Sequence, residues 1–356
     1  MAISKGELQR RLSEYFEARS QEMKHARASD IVRISDGWET DVYAFTLKYQ
    51  SNGKPRSEDL VLRLYLGEDV KEKATKEFRV MAKLHETGFP VPNVYYLETD
   101  QSVFGKPFVI MEKVDGRSMG EKLGKASEKA RNDMLSLFCR VLVDLHRLDI
   151  MPFVSDSAIV ADSFAYDISD PSGYLTRLFA GFRRYLVHFE ADQAALGVFS
   201  QVMDWLEERA ENVPSKRLSP VHLDYHFYNV LIREDGAPFV IDWTNFDVTD
   251  FRVDLAWTLL LTSTYGRPGM RNSVLEMYER TEGNKVENIE YFEVVAATRR
   301  LGSIYLSLGE GAEKLGMRPE AANIMRQQAE HIRAVVKVLS ERTGIKISIF
   351  DELLKS

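Results

Sequence analysis

Val221-His-Leu-Asp-Tyr-His-Phe-Tyr-Asn-Val-Leu-Ile232, together with Phe239-Val-Ile-Asp-Trp243, decides how this chain is read. His222, Asp224 and Asn229 interrupt an apolar context, and Asp242 closes a second short β-rich run. Glu234-Asp235-Gly236 marks a turn between the two runs. The pattern predicts loop, strand, tight turn and strand, with a polar group at each mouth of the hairpin. Phosphoryl transfer needs such a set: a carboxylate near the attacking hydroxyl, plus an amide oxygen and a second carboxylate to hold Mg²⁺ on nucleotide phosphates. Asp224 fits the base, and Asn229 and Asp242 fit the metal ligands. Singly, each has a plainer explanation, since Asp and Asn cap turns and an Asp can merely end a strand. Together at this spacing they point to a site.

His222-x-Asp224-x4-Asn229, followed by Ile241-Asp242-Trp243, resembles the catalytic and metal-binding signature of the aminoglycoside phosphotransferase-like family, small-molecule kinases of the protein-kinase-like superfamily. The resemblance implies an α+β, bilobal fold. Residues 1–112 would form an antiparallel-sheet lobe with a leading helix, and residues 113–356 a larger, mostly helical lobe. It also implies transfer of the terminal phosphoryl group of ATP or GTP to a hydroxyl of a small molecule, either an antibiotic (aminoglycoside or macrolide) or a metabolic alcohol. Three positions depart from the family pattern. Leu223 stands where glycine is frequent, and Phe227 and Tyr228 replace Pro-Gly.

The whole chain is consistent with that expectation. With 356 residues and 44 % hydrophobic content, it can bury the core of one large domain or two lobes. A net charge of −7 argues against a nucleic-acid partner and is compatible with a cationic substrate. Cys139 is the only cysteine, which excludes an intrachain disulfide and a cysteine-rich metal site; its neighbours Leu137, Phe138, Val141 and Leu142 predict a buried thiol. Met1–Glu7 lacks the apolar run of a signal peptide, and Leu255–Leu261 is too short to span a bilayer. A soluble cytoplasmic protein with no membrane partner is expected, its oligomeric state open.

Towards the N-terminus, Ser4-x-x-Glu7 reads as a capping box before a helix presenting Leu8, Leu12, Tyr15 and Phe16. Ile31–Ser35, the alternation of Tyr43, Phe45, Leu47 and Tyr49, and Leu60–Tyr65 read as strands, with Ser51–Pro55 as a polar loop. In the resemblance, the turn containing Gly37 covers the phosphates and Arg63 takes the place of the strand lysine that contacts them. Glu77, on a helix over Val70–Glu86, would pair with Arg63, and Glu112–Val114 would be the hinge whose backbone reads the base. Arginine keeps the charge of lysine but contacts anions through a planar fork. Outside the resemblance, Gly37 reads as a structural turn, Arg63 as an exposed strand residue and Glu77 as a solvated helix charge.

Towards the C-terminus the periodicity is helical. Helices are predicted from Ser127 to about His146, over Tyr174–Phe189 and Val198–Ala210, then over Arg271–Thr281, Val286–Leu308 and Pro319–Thr343, with Asp156–Gly173 irregular. Asp254 resembles the family's helix-start aspartate that supports the catalytic loop. His222 is expected to act as scaffold and His146 as a structural histidine. Glu276, Glu279, Glu282, Glu287, Glu290 and Glu293 read either as an acidic acceptor pocket or as a solvated face. Gly302 and Gly309, poor helix formers, predict close packing or a broken helix. Two rival functions remain beside the kinase. One is a catalytically silent nucleotide-binding scaffold, which intact Asp224, Asn229 and Asp242 disfavour. The other is a protein kinase, disfavoured because Trp243 follows Asp242 and no Asp-Phe-Gly is present.

Overall fold

A computed structural model describes residues 3–19, 23–35, 40–67, 70–160, 173–186, 192–215, 217–266, 269–309, 311 and 320–354. The chain divides into two compact units, Met1–Asp115 and Gly116–Ser356. Mixed α+β architecture results: an antiparallel-sheet unit and a largely helical one.

In the first unit, helix α1 (Lys5–Arg19) precedes strands β1 (Lys24–Ser35), β2 (Thr40–Ser51) and β3 (Lys54–Tyr65), helix α2 (Val70–Glu86), and strands β4 (Val94–Glu98) and β5 (Phe108–Glu112). The five strands form one antiparallel sheet in the order β1-β2-β3-β5-β4. The polar loop expected at Ser51–Pro55 is a two-residue turn instead. Ser51 pairs with Lys54, and Asn52 and Gly53 both take left-handed backbone (φ 51° and 71°). An Asn-Gly pair supplies that geometry at low cost and matches the twist of the flanking strands, so β2 and β3 run on to the turn. The apolar face of α1 (Leu8, Leu12, Tyr15, Phe16) is buried with Phe45 and Phe108 from the sheet. Only half of the expected capping box forms. Ser4 accepts from the Glu7 N–H, but the Glu7 carboxylate pairs with Arg10 and Arg11.

The second unit begins with strand β6 (Gly116–Ser118) and helices α3 (Met119–Lys125) and α4 (Glu128–Arg147), the latter capped by Ser127. Two short helices, α5 (Met151–Val154) and α6 (Ser157–Val160), lead to α7 (Gly173–Leu186) and α8 (Gln193–Arg209); α6 falls in a stretch expected to be irregular. Four short strands follow: β7 (Leu218–Val221), β8 (Val230–Arg233), β9 (Pro238–Val240) and β10 (Asp247–Asp250). They form a β7–β10 pair and a β6-β8-β9 sheet. Helices α9 (Phe251–Thr264), α10 (Met270–Glu282), α11 (Ile289–Gly309), α12 (Glu320–Gln327), α13 (Ala329–Thr343) and α14 (Ile349–Leu353) complete the unit.

Helix α9 is buried from Arg252 to Thr262, and α11 from Ile289 to Thr298, so both are core helices rather than one-sided surface helices. The single helix expected after Pro319 is broken at Gln328, which leaves helical backbone (φ −95°, ψ 35°) between α12 and α13. Close packing at Gly302 is not found. Helix α11 runs unbroken through it, and a methyl group there would meet no atom within 4 Å. Its cost is therefore conformational, and Gly302→Ala should stabilise the protein by about 0.5–1 kcal/mol. A higher urea midpoint at unchanged slope is the expected result; a lower midpoint would show an unrecognised packing role for Gly302.

Candidate active site

The second unit assembles its polar residues around one buried carboxylate. Asp254, in the first turn of α9, is fully buried and accepts from the backbone N–H groups of His222 (2.8 Å) and Leu223 (2.8 Å). Behind it, His146 of α4 places Nε2 3.1 Å from the same carboxylate and Nδ1 2.8 Å from the Tyr278 hydroxyl of α10. Burial by itself would raise the Asp254 carboxyl. Hydrogen bonding from His146, its proximity to His222 and the His222 backbone donor outweigh that and hold it below its ordinary value. Asp250, not Asp254, is the residue that caps α9, accepting from the Arg252 N–H at 2.9 Å.

This anchorage shapes the following loop. Leu223 is held in left-handed backbone (φ 59°), a conformation costing about 1–2 kcal/mol in a residue with a Cβ. Glycine would adopt it freely; here the Asp254 bond and burial of the Leu223 side chain offset the strain. His222 then ties the loop to the second run. Its Nε2–H donates to the Ile241 carbonyl (3.0 Å), and its Nδ1 accepts from the Asp224 N–H (3.2 Å), which fixes the neutral Nε2–H tautomer. The expected scaffold role of His222 matches these contacts.

Asp224 is partly exposed. One carboxylate oxygen accepts from the Trp257 indole N–H of α9 (3.2 Å), and the other lies 3.3 Å from Asn229 Nδ2 and 3.7 Å from His226 Nε2. Asn229 Nδ2 also donates to the Asp224 carbonyl at 3.0 Å. Both its amide contacts therefore use nitrogen, and its Oδ1 meets no protein donor among the described residues. The Ile241 N–H donates to the Asn229 carbonyl (3.0 Å), extending the β8–β9 ladder and bringing Asp242 beside Asn229 along the chain. Asp242 has φ 69° and accepts from the Thr244 hydroxyl at 3.0 Å. The amide oxygen of Asn229 and the carboxylate of Asp242 are hard oxygen donors of the kind Mg²⁺ takes, with phosphate and water completing its shell.

The remaining expected site residues lie in the first unit. Arg63 of β3 and Glu77 of α2 form an ion pair (3.3 Å) with the Glu77 side chain fully buried and a short hydrogen bond from the Tyr65 hydroxyl onto the same oxygen. Glu77 is thus not the solvated helix charge it could have been. Glu112 ends β5, pairs with Leu60, and is tied to Asn93 through its N–H (2.8 Å) and side chain (3.1 Å). Val114 is half-buried, and among the described residues its N–H and C=O engage no other backbone group. Gly37 lies outside the described residues.

Three contributors went unread in the sequence. Trp257 was taken as core, His146 as uninvolved, and Arg299 was not singled out. The Arg299 guanidinium of α11 lies over the Trp257 ring (4.4 Å to its centroid) and 3.4 Å from the Leu223 carbonyl. Helical spacing places Asp254 and Trp257 on one face of α9, a signal available once Asp254 is tied to the loop.

The phosphotransferase enzyme family model, APH, matches residues 30–290. This chain belongs to that family. Its APH fold resembles a Ralstonia eutropha JMP134 structure assigned to the aminoglycoside phosphotransferases (TM-score 0.61, 19 % identity, covering 92 % of this chain and 98 % of that one). It likewise resembles ethanolamine kinase of Plasmodium vivax (TM-score 0.59, 13 % identity, 95 % and 87 % covered). A ternary complex of APH(4)-Ia with ADP and hygromycin B is similar at TM-score 0.57 and 15 % identity, with 94 % and 99 % covered. Among curated sequences, IBR3 of Arabidopsis thaliana, assigned as an acyl-CoA dehydrogenase, is 28 % identical over 192 residues, and mouse acyl-CoA dehydrogenase family member 10 is 25 % identical over 188. The match spans 52 % of this chain in each case, but only 22 % and 16 % of those longer proteins. Among the described residues, no helix is long and apolar enough to cross a membrane.

Because Asp254 satisfies two buried backbone donors, Asp254→Ala should destabilise the APH fold by about 3–5 kcal/mol. Its carboxyl is lowered in the folded state, so its stabilisation is present above its ordinary value of 3.8 and lost as pH falls through the folded value. Urea midpoints of wild type and Asp254→Asn, compared from pH 6 downwards, should converge on acidification. A gap that widens instead would mean that Asp254 is protonated in the native protein.

Proposed function

We propose that this APH-family chain transfers the terminal phosphoryl group of ATP or GTP to a hydroxyl of a small molecule. The observation that carries it is the Asp224–Asn229 contact. The amide nitrogen binds the Asp224 carboxylate and carbonyl, which leaves the amide oxygen as a metal donor beside Asp242. Asp224 would orient the acceptor hydroxyl and take its proton as the oxygen bonds to the terminal phosphorus and the nucleoside diphosphate departs. Asn229 and Asp242 would hold Mg²⁺, which supplies positive charge to the phosphate oxygens. In the first unit, the Arg63–Glu77 pair would serve the phosphates, and the Gly37 turn would cover them. The Glu112 and Val114 backbone would meet the base. Residues 1–112 and 113–356 are the proposed nucleotide-covering and catalytic lobes, in a soluble cytoplasmic enzyme with no nucleic-acid partner.

Acceptor chemistry is open between antibiotic and metabolic alcohols. The acyl-CoA dehydrogenase names of the curated relatives add hydroxyacyl-CoA thioesters to the acceptors worth testing. Mg²⁺-dependent nucleotide turnover against such a panel, with ATP and GTP in parallel, is the direct assay. Asp224→Ala should lower transfer roughly 10²–10⁴-fold while nucleotide still binds; turnover like wild type would remove Asp224 as the base. Asp242→Ala should raise the Mg²⁺ needed for nucleotide binding about tenfold or more, and an unchanged Mg²⁺ titration would take Asp242 out of the metal site. Nucleotide binding without turnover under every condition would favour the silent scaffold.

A further inference from the structure

The charges around Asp224 carry information about the acceptor. The acidic residues that could have formed a pocket for a cationic acceptor do not converge. Glu293 is buried between Arg271 (2.7 Å) and Arg342 (2.7 Å), Glu279 is held by Lys285 and the Val286 N–H, and Glu282 by Arg147. Glu276, Glu287 and Glu290 are exposed.

Successive residues of α11 present cations instead. Arg299 lies over the indole whose N–H holds Asp224, and it reaches the carbonyl of Leu223, the residue before Asp224. Arg300, half-buried, donates from Nε to His331 Nε2 (3.0 Å) and from its other terminal nitrogen to the Tyr265 hydroxyl (3.0 Å). Both partners are neutral. The His331 ring is 4 % exposed and must carry its proton on Nδ1, because Nε2 accepts from Arg300. Among the described residues, that buried Nδ1–H has no partner. Burial and the adjacent Arg300 lower the imidazole to about 3, so it adds a donor without adding charge. Tyr265 stacks on this ring at 3.9 Å and is itself half exposed (52 %). Guanidinium groups, a neutral N–H and a phenol are the groups that recognise carboxylate and phosphate oxygens.

We propose that the acceptor alcohol carries an anionic oxyacid group, a carboxylate or a phosphate, bound by Arg299 and Arg300 of α11. The proposal rests on the phosphotransferase reading of Asp224 and makes this chain's acceptor opposite in charge to the ethanolamine of its structural relative. Amino-alcohol acceptors would meet the arginine pair as like charges.

The test compares acceptors that differ only in charge: a series of hydroxy acids of increasing chain length, their neutral methyl esters, the matching amino alcohols and the CoA thioesters of the same acids. Transfer is assayed with the full chain, Mg²⁺ and ATP. The expected result is a kcat/KM at least tenfold higher for an anionic member than for its neutral ester or amino counterpart. Preference for the free acid assigns a carboxylate, and preference for the thioester assigns the CoA phosphates. Arg299→Met should reduce that ratio about tenfold, chiefly through KM for the anion, and Arg299→Lys should recover part of it; a packing role would move all acceptors together. A fold check by circular dichroism accompanies each variant, and Arg300→Met supplies an independent arm should Arg299→Met fail to fold. Preference for neutral or amino members, failure to phosphorylate any anionic member, or an unchanged ratio in folded variants overturns the proposal. Failure of the phosphotransferase reading is separately visible, as absence of Mg²⁺-dependent nucleotide turnover with every acceptor and with water.

Discussion

The second unit depends on one carboxylate taken out of water. A fully buried ionised aspartate is costly unless every lone pair is used. Asp254 meets that condition with two backbone N–H donors and a histidine. The same bonds that satisfy the carboxylate also position the loop. Fixing the amides of residues 222 and 223 sets Leu223 in left-handed backbone and determines where the next side chain, Asp224, projects. His146 and Tyr278 continue the network into α4 and α10, so three helices converge on a loop that contains no regular structure of its own. Loop residues that must be placed to fractions of an ångström gain from such support by rigid elements.

A second constraint links the two runs of sequence. The His222 ring spans from the Asp224 N–H to the Ile241 carbonyl, and the Asn229 carbonyl takes the Ile241 N–H. Base, amide and second carboxylate are therefore not three independent placements. Moving the β8–β9 register by one residue would turn the alternating side chains to opposite faces and separate Asn229 from Asp242. The hairpin register is thus part of the chemistry.

Local patterns were readable in proportion to how local their causes are. The spacing of His222, Asp224, Asn229 and Asp242 exposed the polar set because the loop and hairpin that carry it are contiguous. Helix α2 was legible to both ends, Val70 and Glu86, since amphipathic periodicity and the following Gly88 and Pro90 act within a few residues. The Asn52-Gly53 turn was visible yet under-read: its dipeptide calls for the tightest hairpin, and a longer loop was expected. Trp257, His146 and Arg299 were out of reach for a different reason. They lie on three helices far apart in sequence, and α9, buried through most of its length, has no polar stripe to show which face meets the loop. The acidic run on α10 and α11 misled in the other direction. Sequence shows its six carboxylates, but only tertiary structure shows that arginines from outside the run neutralise Glu293 and Glu282.

Trp257 resolves a conflict that the site would otherwise face. A general base must be held in one orientation, and a guanidinium is the strongest orienting partner a carboxylate can have. That same partner stabilises the ionised form and makes the carboxylate a poorer proton acceptor. Here the orienting donor on Asp224 is a neutral indole N–H, and the guanidinium of Arg299 sits over the face of that indole. The cation is near enough to act on a ligand beside Asp224, while the bond that fixes the base carries no formal charge. Indole suits this position in a way phenylalanine would not, since it provides an N–H edge for one partner and a π-face for the other. The arrangement separates orienting the base from supplying positive charge, and it does so with two helices whose mutual packing is set by the apolar core.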